Sequence, residues 1–332
     1  MYLRVINKFF LALGYFLGYR LTYHARSIFQ EEYNYCKLVK SNSEIGKVAI
    51  VVQGPIHFKP EITINTLILY RRIFPEAHVI LSTWSDIDDA LCTKLGSYNV
   101  EVLVNERPKE SGRHNVNLQL VSTNNAIEVA LNKGYEYVLK TRTDMRFTRY
   151  TSLSGLIGLL ESYASNSSSR SKGRIIEIGS TACRFRPWSL CDVFQFGYTI
   201  DMHHFWSAQL DNRIGSSHEF FATPKTPREV SEYNVAEIYL HRNYAGLLGY
   251  NTGVNPEDYY SFIKSEILII DKEMIDLAWF KYEAKEFSWV GDPCYGQNQV
   301  LSRIHFFEWL SIYLGQEVDL KIAEEYLDVQ ER

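Results

Sequence analysis

The segment Tyr137-Val-Leu-Lys-Thr-Arg-Thr-Asp-Met-Arg-Phe147 sets Lys140, Arg142, Asp144 and Arg146 in alternation behind the apolar run Tyr137–Leu139. Three cations around one carboxylate suit an anion such as a diphosphate. Asp144 is also the kind of oxygen ligand that a hard divalent cation, Mn²⁺ or Mg²⁺, takes. The competing reading is a solvated strand edge whose charges neutralise one another. If the anion is the leaving diphosphate of a group transfer, Lys140, Arg142 and Asp144 would bear on its developing charge.

Such a transfer also needs a group that removes a proton from the acceptor hydroxyl. Downstream candidates are Asp192, Asp201, His203, His204, Glu237 and His241, with Glu237 and Asp201 preferred. Each has a plain alternative. Asp201 can cap a helix, Glu237 and His241 stand four apart and can form a surface pair, and the histidines can hydrogen-bond locally. Trp84 and Trp206 can stack on a base or sugar, or simply fill the core. The chain has no G-x-x-x-x-G-K-[ST] loop, no G-x-G-x-x-G after a strand and no G-x-S-x-G elbow. This argues against a P-loop kinase, a dinucleotide oxidoreductase and an α/β-hydrolase.

The elements that must position these residues are legible as an alternation. Lys47–Val52 is rich in β-branched residues and closed by Gln53-Gly54-Pro55, and Glu61–Phe74 carries apolar residues at helical spacing. Strands follow at His78–Ser82, Val100–Val104 and Tyr137–Leu139, with helices at Asp88–Leu95 and Asn115–Lys133 between them. Strand-helix alternation predicts an α/β fold with a mostly parallel sheet flanked by helices. In that arrangement Gln53 and Gly54, Trp84 to Asp86, Asn105, the segment Arg113–Gln119 and Arg142 to Asp144 all gather at one carboxyl edge. Open α/β sheets bind ligands there. Gln53, Gly54, Asp86 and Arg113 are therefore expected to help hold a nucleotide beside Lys140 and Arg142. Farther along, the pattern predicts a helix at Thr151–Tyr163, a Ser-rich basic loop at Asn166–Gly173 and strands at Arg174–Ile178 and Asp192–Ile200. A helix beginning at Asp201, a helix at Val235–Leu248, a strand at Ile267–Ile270 and helices at Phe306–Tyr313 and Val318–Tyr326 complete it.

The chain has 332 residues, enough for one large domain with appendages or two modest ones. Its net charge of −4 argues against a general nucleic-acid binder. The five cysteines are odd in number and lack a C-x-x-C pair, which disfavours a zinc site or disulfide framework and favours a reducing cytosol. The first 21 residues are rich in Leu, Phe and Tyr, but the uncharged run Phe9–Tyr19 is too short to span a bilayer. With Arg4, Lys8 and Arg20 at its flanks, this segment reads as an amphipathic helix lying on a membrane surface. Packing against the protein's own core or in an oligomer is the alternative. The resulting division is an N-terminal helical segment (1–45), a nucleotide-binding half (46–150) and acceptor half (151–270) of one domain, and a C-terminal helical region (271–332).

Six blocks stand in order along the chain: Val48–Ile56 (VAIVVQGPI), Thr83–Asp86 (TWSD), Asn115–Asn125 (NVNLQLVSTNN), Lys140–Met145 (KTRTDM), Phe196–Trp206 (FGYTIDMHHFW) and Ala236–Leu240 (AEIYL). Together they resemble the WavE family of bacterial lipopolysaccharide-synthesis proteins. The resemblance spans roughly residues 46–250 and implies a glycosyltransferase of the GT-A type. Such an enzyme takes a nucleotide-sugar donor and a lipid-linked or growing glycan acceptor at the cytoplasmic face of the inner membrane. It also implies that Arg142-Thr143-Asp144 stands where an Asp-x-Asp motif would bind metal and diphosphate, with Asp144 matching the last acid and Arg142 replacing the first. Two other classes stay open on the residues alone. One is a non-catalytic nucleotide- or glycan-binding subunit. The other is a nucleotidyl- or phosphotransferase, distinguished by the product it releases.

Overall fold

Val48-Ala-Ile-Val-Val-Gln53 has no polar side chain before its last residue, and as strand β1 it is buried at every position. A strand of this kind needs cover on both faces, which is the situation of a parallel sheet between helical layers. The computed structural model describes residues 8–10, 12–13, 43–57, 61–165, 170–179, 182–213, 217–281 and 302–330. After β1 come α1 (Ile62–Ile73), β2 (His78–Trp84), α2 (Asp89–Ser97), β3 (Val100–Asn105), α3 (Val116–Asn132) and β4 (Tyr137–Arg142). The second half holds β5 (Met145–Phe147), α4 (Ser152–Ser162), β6 (Ile175–Ile178), β7 (Gln195–Tyr198), α5 (Thr199–Trp206), α6 (Ser217–Phe220) and α7 (Pro227–Tyr233). It closes with α8 (Ala236–Leu248), α9 (Pro256–Glu266), β8 (Ile267–Ile270), β9 (Leu277–Trp279), α10 (Phe306–Tyr313) and α11 (Leu320–Tyr326).

The main sheet has seven strands in the order β3-β2-β1-β4-β7-β6-β8. Strand β7 runs antiparallel to both β4 and β6, and the other pairings are parallel. The fold is thus α/β with a mostly parallel sheet. Helix α3 packs over β1, β2 and β3 and against α5, which in turn meets β4, β7 and α8, while α1 packs over β2 and β5. Strand order turns back between β1 and β4, and there the register sets Gln53 opposite Arg142. A crevice outside the carboxyl ends of two such strands is where this class of sheet takes its ligands.

A two-stranded antiparallel sheet, β5 with β9, places Trp279 opposite Met145. This pairing brings a segment more than 130 residues distant in sequence to the end of β4. At the far edge, α10 docks on α9 and β8, and Trp309 Nε1 donates to the Ile267 carbonyl at 2.8 Å.

Two local expectations are corrected. The strand expected at Asp192–Ile200 is confined to Gln195–Tyr198, because α5 begins at Thr199. Asp201 consequently lies in the first turn of α5 and does not cap it; Tyr198 holds the cap position. The expected membrane-surface helix falls outside the described residues apart from 8–10 and 12–13, as do Pro60 and residues 166–169 of the Ser-rich loop. Among the described residues no helix is long and apolar enough to cross a membrane.

Candidate active site

The carboxyl ends of β1, β2 and β4 and the start of α3 enclose a cleft of about 320 Å³. That is at the lower end of ordinary ligand pockets. Its floor is the loop after β1. Gly54 has φ +120°, and a Cβ there would stand 3.1 Å from Thr143 Oγ1, so a side chain would crowd the loop after β4. The two loops are also tied by Thr143 N–H donating to the Gln53 carbonyl (3.1 Å). Gln53 Oε1 accepts from Ser122 Oγ (3.0 Å), which anchors its side chain to α3.

Arg142 and Asp144 form the most structured part of the wall. Nε and NH2 of Arg142 donate to Oδ1 and Oδ2 of Asp144, each at 2.9 Å. The guanidinium lies over the Trp279 ring at 5.4 Å, and Phe280 N–H donates to the Asp144 carbonyl at 2.8 Å. Burial alone would raise the Asp144 carboxyl, but the Arg142 fork outweighs it and holds the carboxyl below the usual range. Asp144 is thus ionised and bound on both oxygens by one arginine.

The remaining lining is cationic and polar. Arg107 and Lys281 join Arg142, and Asp144 is the sole carboxylate among the described lining residues. Arg107 lies over Trp84 at 5.2 Å and pairs with the exposed Asp86 at 3.0 Å. Asp86 therefore reaches the rim through Arg107. His57 Nδ1, His114 Nε2 and Gln119 Oε1 are buried without a hydrogen-bond partner among the described residues, and all three residues line the cleft. Buried polar atoms are seldom left so, and a ligand is one reason for the exception. His114 is pulled down by burial and by Arg113 and Arg213, which favours the neutral imidazole. His114 and Asn115 adopt left-handed backbone conformations (φ 52° and 62°) at the entry to α3. Strain of that kind concentrates at functional sites. No side chain caps the N-terminus of α3, and its first turn, with Leu118 and Gln119, opens on the cleft.

The structure thus brings Gln53, Gly54, Arg142 and Asp144 together, with Asp86 at the rim. It does not bring the other expected residues to the cleft. Lys140 is wholly buried on the α5 side, where Nζ donates to the Asp192 carbonyl and lies 4.5 Å from the Trp206 ring centroid. Burial pulls it down to about 8. Arg113 stacks on Tyr233 at 4.3 Å and donates to its carbonyl at 2.9 Å, so it fastens the α3 entry to the end of α7. Asp201 lies at the opposite edge of the sheet and accepts from the backbone N–H groups of Lys172 and Gly173, each at 2.8 Å. Burial raises it to about 6, but its oxygens are committed to that loop. Arg146 is buried against α1, with Nε donating to Thr66 Oγ1 at 2.9 Å.

Glu237 does not line the cleft. It stands in the first turn of α8, where burial and the nearby Asp192 charge raise its carboxyl. Asp192 precedes β7, which pairs antiparallel with β4 (Gln195 opposite Lys140), so the chain at Asp192 runs beside the carboxyl end of β4. His241 is not Glu237's surface partner. It is fully buried, donating from Nδ1 to the Glu237 carbonyl (2.6 Å) and from Nε2 to Glu177 Oε1 (2.9 Å).

A family model described as WavE lipopolysaccharide synthesis matches residues 48–318, most of the chain. The chain belongs to this family. The WavE match covers both the cleft and the buried polar residues behind it. No curated protein matches the sequence. Among solved structures, a 4-diphosphocytidyl-2C-methyl-D-erythritol synthase is 12% identical over 49% of this chain and 78% of its own, with a TM-score of 0.29. A mannosyltransferase from Pyrobaculum calidifontis in complex with GDP-Man and Mn²⁺ is 12% identical at a TM-score of 0.30. It covers 67% of this chain, and the chain spans about half (53%) of the mannosyltransferase. Likeness at these scores says nothing of substrate or chemistry.

Arg107, His57, His114, Gln119 and Lys281 are the lining residues that sequence reasoning missed. Within the Arg113–Gln119 segment expected at the strand edge, His114 and Gln119 line the cleft and Arg113 does not. Nothing local marks Lys281, which arrives through the pairing of β9 with β5.

The divalent cation implied by the family resemblance is a poor match for these donors. Both Asp144 oxygens already accept from a guanidinium, and no group of three or more His, Cys, Asp or Glu suited to a metal occurs among the described residues.

Proposed function

We propose that this WavE-family chain is a glycosyltransferase of GT-A type. It would move a sugar from a nucleoside-diphosphate donor to a bacterial surface polysaccharide: lipopolysaccharide core, O-antigen or capsule. The observation that supports this best is the cation-lined cleft at the strand-order reversal, with the Arg142–Asp144 pair on its wall. Departure of the nucleoside diphosphate places negative charge on its phosphates. Fixed cationic donors held in a partly desolvated site lower the barrier to that step. His57, His114 and Gln119 offer hydrogen bonds to the rest of the nucleotide.

Glu237 is the base of this reading. A carboxyl raised by burial and by Asp192 is a better proton acceptor than an exposed one, and an inverting transfer needs such a group at the acceptor hydroxyl. The acceptor would approach from the Asp192 side. The amphipathic N-terminal segment would keep the enzyme at the cytoplasmic face of the inner membrane, where a lipid-linked glycan is available. A binding-only subunit is the second reading, favoured by the position of Glu237 off the cleft.

Asp144→Ala tests the proposal. With a panel of nucleotide sugars and lipid-extracted acceptor, the variant should lose transfer and nucleoside-diphosphate release by about 10²-fold or more while staying folded by circular dichroism. Full activity in Asp144→Ala defeats the assignment. Release of pyrophosphate by the wild type would indicate a nucleotidyltransferase instead.

A further inference from the structure

We infer that the donor diphosphate is held by Arg142 without a divalent cation, and that Asp144 orients Arg142 and does not ligate a metal. This rests on the nucleotide reading above and specifies how that site works.

Three observations carry it. First, the Arg142–Asp144 contact is bidentate, with both oxygens engaged at 2.9 Å. A metal on Asp144 would have to displace a charge-assisted fork, the strongest class of hydrogen-bonded pair. Second, the guanidinium is fixed from two sides, by the carboxylate and by the Trp279 ring 5.4 Å away. Trp279 is itself held by the pairing of β9 with β5. A cation so braced is preorganised and need not reorient as charge develops.

Third, the described lining carries Arg107, Arg142 and Lys281 against Asp144 alone. A diphosphate entering this cleft meets cationic side chains already in place. A divalent ion would find one carboxylate among the described lining residues, whereas such ions seek several oxygen ligands.

Isothermal titration of the full chain with UDP, GDP, CDP and dTDP, in EDTA and again in excess Mn²⁺, tests the inference. The nucleotide that binds should do so with a Kd that agrees within about twofold between the two buffers. Arg142→Gln should weaken binding by about tenfold or more in both buffers, and Arg142→Lys should recover only part of the loss, because an ammonium lacks the planar fork. Asp144→Asn should weaken binding less than Arg142→Gln and leave it equally indifferent to Mn²⁺. Affinity that rises about tenfold or more with Mn²⁺, and loses that rise in Asp144→Asn, assigns the carboxylate to a metal and overturns the inference alone. Absence of binding by all four nucleotides in both buffers overturns the nucleotide reading and the inference with it. The wild-type comparison between buffers decides the matter even where a variant fails to fold.

Discussion

Two regions of this molecule are dense in ionisable and polar side chains, and they differ in how their hydrogen bonds are spent. Behind the sheet edge, Glu177 accepts from Gln195 Nε2 (2.8 Å), His241 Nε2 (2.9 Å) and the Cys191 backbone N–H (2.9 Å). Gln195 Oε1 accepts from Trp206 Nε1 at 2.8 Å, and Lys140 closes the knot on the Asp192 carbonyl. Each of these groups has its partner inside the protein. In the cleft, His57, His114 and Gln119 each keep a buried atom that no described residue satisfies. A satisfied network specifies a fold, whereas unspent donors and acceptors beside fixed cations specify a ligand. Charge density alone does not separate the two, which is why Lys140 and Arg142, two residues apart on one strand, have opposite fates.

The largest effect that would sharpen this contrast comes from the knot. Burial pulls His241 down, but the Glu177 carboxylate outweighs it and raises the imidazole, which favours the ion pair. Breaking a buried ion pair from one side strands the other charge. His241→Leu should therefore cost about 3–5 kcal/mol in urea unfolding. Nucleotide affinity, measured where the variant is still folded, should change little. A loss below about 1 kcal/mol, or a collapse of affinity without loss of stability, breaks the contrast.

Much of the fold is legible in the sequence because the parallel strands are short unbroken apolar runs closed by Gly, Pro or polar residues. Val48–Gln53 and His78–Trp84 are recognisable without any partner. What escapes is set by tertiary contact. Strand β7 is four residues long, and helix propensity takes over at Thr199. Strands β5 and β9 are three residues each and exist only because they pair. Helices α7 and α9 escape the pattern reading, although Thr226 with Glu229 and Asn255 before Pro256 are start signals of the ordinary kind. The candidate site is half legible for the same reason. A strand-edge argument finds Gln53, Arg142 and Asp144 because backbone topology alone gathers them. It cannot see that Asp201 will be claimed by backbone N–H groups 28 and 29 residues earlier in the chain. Nor can it see that Lys140 will be buried against Trp206 and the Asp192 carbonyl.

Lys140 provides the next test, of intermediate size. Its ammonium titrates near 8 in the folded protein against 10.5 for the free side chain, with burial as the main cause. Between those values the unfolded chain binds the proton and the folded chain does not, so wild-type stability gains from this group as pH rises from about 8 toward 10.5. Below pH 8 the charge is buried at a cost of about 3 kcal/mol relative to the unfolded chain. In Lys140→Met that gain should vanish. The stability difference, wild type minus variant, should grow across the window and be flat below it. Nucleotide affinity should be unchanged in the variant. A drop of about tenfold would return Lys140 to the phosphate site and erase the distinction from Arg142.

The smallest effect is also the one with opposite signs in stability and in affinity. Gln119 Oε1 is buried in the cleft wall without a described partner, so in the ligand-free protein it represents desolvation that nothing repays. Gln119→Leu removes the polar atom at similar volume and should leave stability unchanged or raise it by up to about 1 kcal/mol. If that oxygen is reserved for a donor on the nucleotide, the same variant should weaken binding by about five- to tenfold, the value of a single lost neutral hydrogen bond. Urea unfolding and nucleotide titration on one preparation measure both. A stabilised protein with unchanged affinity would mean that the unspent oxygen serves no ligand. A destabilised one would mean that it belongs, as in the Glu177 knot, to the fold.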